Sequence, residues 1–303
     1  MGLFRSSVLV TAINFRRWGK DIRVYIVFLF IAVLIYCFLS PFTLYGIKSE
    51  QNCTVWMLPL LFQGGTISIN QPKTLLHVGM LLLLCDAPFL SQITPYVVLR
   101  SQRNGWWIGE CCYIIGTALI YTLFITGLSI IILLPVGIWG NDWGEMMKEL
   151  AFGNQTSAGN QIAAAHGFQI KLQGNSIRFL YPQGSELYTF FAVWCSFSFL
   201  GLLMYLISLI KRSVLPGMCT AGLFIFLDPL LTWLGTGSRS WLAIFSPVCW
   251  TSVDQLRAPL QYRFMSIQNA IGLYMILIII LGCAIWRQSK RVVIEAAEAA
   301  IDE

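Results

Sequence analysis

The sequence predicts an all-α fold: a polytopic membrane helix bundle of six transmembrane helices, forming one domain over residues 1–303. Three observations predict it. The chain is 57% hydrophobic and only 11% charged, where a soluble domain carries about 25% charged residues. So few charges cannot coat a water-facing surface, and the excess apolar area needs lipid as its solvent. Apolar runs approaching the ~20 residues of a hydrocarbon crossing recur along the chain. Lys and Arg gather in short segments between alternate runs, the pattern that orients a helix bundle in a bilayer.

The first element precedes the spans. Val8, Leu9, Ala12, Ile13, Phe15 and Trp18 recur at helical spacing, followed by Arg16, Arg17 and Lys20. This fits an amphipathic helix over residues 6–22, lying in the cytoplasmic interface with its cations toward lipid headgroups. Arg5, Arg16, Arg17 and Lys20 also interrupt any apolar core here, so no cleavable leader is expected. Membrane spans follow at residues 24–45, 74–99, 111–134, 187–210, 217–234 and 266–286. The fifth is the weakest, being short and carrying Asp228-Pro229.

With the N-terminus inside, the inner segments hold Arg5, Arg16, Arg17, Lys20, Arg23, Arg100, Arg103, Lys211, Arg212, Arg287, Lys290 and Arg291. The outer loops hold Lys48, Lys73, Lys148, Lys171, Arg178, Arg239, Arg257 and Arg263, spread over a much longer stretch of chain. That asymmetry places both termini in the cytoplasm and the protein in the cytoplasmic membrane. The net charge of +6 is thus topological and implies no nucleic-acid partner.

The outer loop over residues 137–186 is rich in Gly, Asn and Gln, and reads either as a small cap or as a flexible loop. The loop between spans five and six is different. Trp241 to Trp250 is largely apolar but too short to cross. It reads as re-entrant half-helices around Pro247, since irregular backbone at membrane depth survives only inside protein or a wet cavity. The equal alternative is an interfacial loop anchored by Trp241 and Trp250. Of the nine cysteines, Cys53 and Cys249 fall in outer loops, where a pairing stays open; the spacing says nothing.

Two acidic residues fall within apolar runs. Asp86 lies near mid-membrane in span two, where a carboxylate costs about 3 kcal/mol on insertion scales. It reads first as a helix–helix anchor, hydrogen-bonded to a Ser, a Thr or a carbonyl that Pro88 and Pro95 free, and second as a pathway residue. Asp228 invites the same two readings. His77 reads as an interfacial residue at the start of span two and His166 as a loop residue. No catalytic or metal-ligating set is expected: the sequence has no His-Glu-x-x-His, no Gly-x-Ser-x-Gly and no P-loop.

The connector between spans two and three runs Arg100-Ser101-Gln102-Arg103-Asn104-Gly105-Trp106-Trp107-Ile108-Gly109-Glu110. Its plain reading is positive-inside charge plus an aromatic belt, with Glu110 positioned to hold Arg100 or Arg103. Together with Asp86-Ala-Pro-Phe before it, and with Ser246-Pro247, this stretch resembles permease subunits of type-2 ATP-binding-cassette exporters. The resemblance implies an N-terminal interfacial helix, six spans and re-entrant helices between the last two. It also implies that Arg100 to Trp107 form a coupling helix resting on a cytosolic ATPase. A second permease subunit, as homodimer or heterodimer, would complete the assembly. The chain itself would bind no cofactor, ATP and Mg being held by the partner. The long loop between spans three and four departs from the family pattern. Two other classes fit the composition: an ATP-independent carrier, sensor or scaffold, and an intramembrane enzyme.

Overall fold

The computed structural model describes residues 3–63, 71–85, 94–153, 181–234, 244–256 and 266–299. These form an all-α bundle. Helix α1 spans Leu3–Trp18 and α2 spans Ile22–Ser49. A short strand β1 (Cys53–Thr54) and the one-turn helix α3 (Leu58–Leu61) lead toward α4, Gln71–Leu83. Helix α5 runs unbroken over Thr94–Leu133, then β2 (Gly137–Ile138) and α6 (Glu145–Gly153) follow. The remaining elements are α7 (Pro182–Lys211), α8 (Val214–Leu234), a 3-10 turn at Pro247–Thr251, α9 (Val253–Leu256) and α10 (Ile267–Ala299).

Among the described residues, five helical segments are long and apolar enough to cross a membrane: Ile22–Ser49, Asn104–Val136, Pro182–Lys211, Val214–Leu234 and Ile267–Lys290. The chain is therefore a multi-pass membrane protein. The outward faces agree, since Tyr25, Leu29 and Val33 on α2, Leu223 and Phe226 on α8, and Ile276, Ile279 and Ile280 on α10 are all exposed. Apolar area of that extent suits acyl chains rather than water. Helix α7 is the centre of the bundle, with 67% of its apolar window buried. It packs against α5, α8 and α10. Gly201 and Gly217 set its closest contacts: a Cβ on Gly201 would lie 2.6 Å from Ile114 of α5, and one on Gly217 of α8 would lie 2.5 Å from the Met204 carbonyl.

Several expectations change. The run at 74–99 is not one helix: α4 ends at Leu83, residues 86–93 lie outside the described residues, and Thr94 already belongs to α5. The connector at 100–110 is not a separate short helix but is continuous with the span that follows. The fifth span is longer than the apolar count suggested: α8 continues through Pro229 to 21 residues, about 32 Å of rise and enough for the hydrocarbon. Cys53 and Cys249 are free thiols, both buried.

At the end away from α1, β1 pairs in parallel with β2, Cys53 opposite Gly137, tying the end of α2 to the end of α5. Helix α6, with Trp143 just before it, packs against β1: Trp143, Met146 and Met147 are buried, and the Thr54 amide donates to the Trp143 carbonyl. Gly144 makes the approach possible: its φ is +82°, and a Cβ there would sit 2.5 Å from the Asn52 carbonyl. The first part of the 137–186 loop is thus a small cap, and residues 154–180 lie outside the described residues. Asp21 caps α2 by accepting from the Arg23 amide at 3.1 Å. The Arg23 guanidinium beside it holds the Asp21 carboxyl below the usual carboxylate range.

Helix α1 lies against the first half of α5. It turns Ser6, Ser7, Val10 and Asn14 inward and leaves Phe4, Val8, Leu9 and Ile13 exposed. That is the division an interfacial helix needs, small and polar groups to protein and apolar groups to acyl chains. The contact is tight at Gly109, where a Cβ would meet Val10 at 2.6 Å. The Thr11 hydroxyl donates to the Gly109 carbonyl at 2.9 Å, and Trp18 Nε1 donates to the Tyr113 hydroxyl at 2.9 Å.

Candidate functional site

The bundle buries an ion pair. Lys73 on α4 and Asp228 on α8 sit with Nζ and Oδ2 2.6 Å apart, and both side chains have 0% exposure. By helical rise, Asp228 is about 21 Å from the tight turn that joins α7 to α8, and Ser196 of α7 lies at nearly the same height. A hydrocarbon core is about 30 Å thick, so the pair lies within it. Charges at that depth are stable only when paired and hydrogen-bonded. Here they are both. Ser246 Oγ donates to Asp228 Oδ1 at 2.6 Å. Lys73 Nζ donates to Ser252 Oγ at 3.2 Å.

His77 extends the polar layer one helical turn along α4. Its Nδ1 lies 2.8 Å from the Lys73 carbonyl and its Nε2 lies 3.1 Å from Ser196 Oγ. A carbonyl only accepts, so Nδ1 carries the proton; in the neutral ring Nε2 then accepts from Ser196. The ring edges of Phe62 and Phe197 enclose it. A small, largely apolar cleft opens beside His77 between α4, α7 and α8, lined by Met80, Leu84, Met204 and Ile225 among others.

The segment from Ser246 to Ser252 is fully buried, although its backbone is one 3-10 turn flanked by extended residues. Side chains from the long helices hold it. Beyond the two serine contacts, Tyr188 of α7 donates to the Trp250 carbonyl at 2.9 Å, and Tyr274 of α10 donates to the Pro247 carbonyl. The Trp250 and Tyr274 rings meet edge to face.

Comparison with protein-family models, with curated proteins and with solved structures finds no match for this chain.

Of the candidates read from the sequence, Asp228 is brought into a defined constellation. Asp86 lies outside the described residues, as do Trp241 and His166. Arg100, Ser101, Gln102 and Arg103 are helical in backbone, and their side chains lie outside the described residues. Asn104 is exposed, Gly105 is buried and Trp107 is half-buried. Trp106 is only 3% exposed, so its ring packs inside the chain and offers no surface of its own. Glu110 is buried and faces Asn14 and Arg17 of α1; the side chains of Arg100 and Arg103, its expected partners, lie outside the described residues.

Lys73 and His77 were misplaced by sequence reasoning. Lys73 counted among outer-loop cations and His77 as interfacial, yet both are completely buried. One signal was present: the two lie four residues apart, on one face of a short apolar helix. Ser196 and Ser252 carried no signal, because single serines are common in apolar runs.

Proposed function

We propose that this chain is the permease subunit of an ATP-binding-cassette exporter. It moves a substrate out across the cytoplasmic membrane, driven by an ATPase on a separate cytosolic chain. The observation that carries the reading is the form of α5. Its 40 residues rise about 60 Å, twice the hydrocarbon thickness. The excess lies at the α1 end, where the Arg100–Asn104 stretch runs on past the Gly109 contact with α1. That stretch is a rigid extension of a spanning helix, clamped where it meets the interface. Force applied to it turns the whole helix, which is what a transmission element requires.

Other features support the same reading. With α1 and its cations in the cytoplasmic interface, both termini are cytoplasmic and the β1–β2 cap is external. Helix α4 supplies a sixth, shorter crossing: it descends from the Lys73 level to Cys85, whose Sγ lies 3.5 Å from Arg23 at the base of α2. The buried 3-10 turn at Pro247–Thr251 is then a re-entrant segment entering from outside. A second permease subunit, the same chain or a paralogue, completes the pathway.

The test is co-purification with a cytosolic P-loop ATPase from the same cell. Arg100→Glu with Arg103→Glu should abolish co-purification of that ATPase while the variant still inserts and shows wild-type thermal unfolding. Full association after both reversals would defeat the docking assignment.

A further inference from the structure

The Lys73–Asp228 pair does more than link α4 to α8. Each member also holds one end of the same loop. Asp228 accepts from Ser246 at its start, and Lys73 donates to Ser252 at its end. Between them, Tyr188 and Tyr274 each donate to one carbonyl, of Trp250 and Pro247. Four helices, α4, α7, α8 and α10, thus converge on seven residues that have no continuous helix of their own. These side-chain bonds are individually reversible, whereas the helices around them are locked by backbone ladders and by close glycine contacts.

We propose that residues 246–252 are a plug that closes the bundle at this level, and that the Lys73–Asp228 pair is its latch. Neutralising either member takes away the opposite charge that sits 2.6 Å from the other in full burial. Relief comes from admitting water, and the element that moves most readily is the short 3-10 segment that side-chain bonds hold in place. The plug then lifts, and Cys249 at its centre, only 3% exposed in the closed form, meets the aqueous side away from α1. This inference needs only a membrane-embedded bundle. It holds whether or not an ATPase drives it.

The latch also predicts a rescue. Both tethers are serine hydroxyls, which donate and accept equally well. Exchanging the two charges therefore keeps the pair and both tethers chemically satisfied.

The experiment uses the full chain with Cys249 as its sole cysteine, in sealed proteoliposomes, and follows the rate of labelling by a membrane-impermeant maleimide. Closed protein should label slowly. Asp228→Asn and Lys73→Met should each raise the rate at least tenfold, and Lys73→Asp combined with Asp228→Lys should return it to near the starting value. If the single-charge variants fail to accumulate, Ser246→Ala with Ser252→Ala cuts both tethers, leaves the pair intact, and should still raise the rate several-fold. Labelling that stays slow in the serine double variant and in any single-charge variant that folds would overturn the plug. Labelling as fast in the charge exchange as in Asp228→Asn would overturn the latch. Neither result bears on ATPase docking, so failure here and failure of the exporter reading are told apart.

Discussion

Lys73 and Asp228 show how a single pair of residues can be costly alone and neutral together. A buried ion pair is weak evidence of net stability, because desolvating two charges offsets their attraction. Breaking it is another matter. Removing one partner from such a site costs about 3–5 kcal/mol, while replacing both by apolar groups of similar volume is often neutral. The expected order in detergent-solubilised protein is therefore clear. Asp228→Asn or Lys73→Met alone should lower the thermal midpoint sharply, and Lys73→Met with Asp228→Leu should recover most of that loss. Differential scanning fluorimetry of the four proteins measures it. A double variant as unstable as the worse single would mean that packing rather than charge decides this site. Ser246 and Ser252 complicate the recovery slightly, because each hydroxyl loses a charged partner and keeps its burial.

Among elements, the junction of α1 with α5 is where local sequence most directly sets geometry. Gly109 lets the two backbones approach until Val10 and the Ser7 carbonyl would lie under 3 Å from any added Cβ. Gly109→Leu should push α1 off α5 and cost about 1–3 kcal/mol, the range for overpacking a tight contact. A disulfide trap between cysteines placed at Asn14 and Glu110, whose side chains meet across the junction, should close readily in the parent and poorly in the Gly109→Leu variant. The apolar runs behind α2, α5, α7, α8 and α10 were legible in the sequence, because a long crossing leaves a signal that no other environment produces. Helix α4 was not legible. Its apolar run continues past Leu83, so composition carried the predicted span across the point where the helix ends. The connector at 100–110 was legible as a short coupling helix through the resemblance, but not as part of the helix that follows. Gly105 is tolerated in that continuous helix because Trp106 packs inward and α1 braces it just beyond. Asp228 was legible as a buried acid, since a lone carboxylate in an apolar run demands explanation. Its partner was not, because contact between α4 and α8 is a fact of tertiary packing.

For the whole molecule, the proposed exporter function raises the question of how motion of a docked ATPase would reach the polar layer inside the bilayer. Helix α5 runs from the Arg100–Asn104 stretch to Tyr121, whose hydroxyl donates to the Leu76 carbonyl of α4 at 2.8 Å. Leu76 is one residue from His77 and three from Lys73. A rotation or tilt of α5 is therefore felt at the helix that carries the cationic half of the buried pair. Tyr121 also packs against Phe28 of α2 and Phe197 of α7, so the lever and its fulcrum share one rigid aromatic cluster. This route works only if α5 is a continuous rod between the docking stretch and Tyr121. Ile108→Pro tests that. Proline there removes one helical hydrogen bond and clashes with the carbonyl of Asn104, kinking the rod between its cytosolic end and the bundle. Docking residues on the far side of the kink are untouched, so the ATPase should still co-purify. Transport, and any stimulation of ATP hydrolysis by substrate, should fall at least tenfold. The exposed residue Cys112, on the bundle side of the kink, supplies the control, since Cys112→Ala strengthens local helix propensity and should leave coupling intact. Coupling that survived the proline would mean that force enters the bundle by another helix, with α10 and its basic end, Arg287 to Arg291, the next place to look.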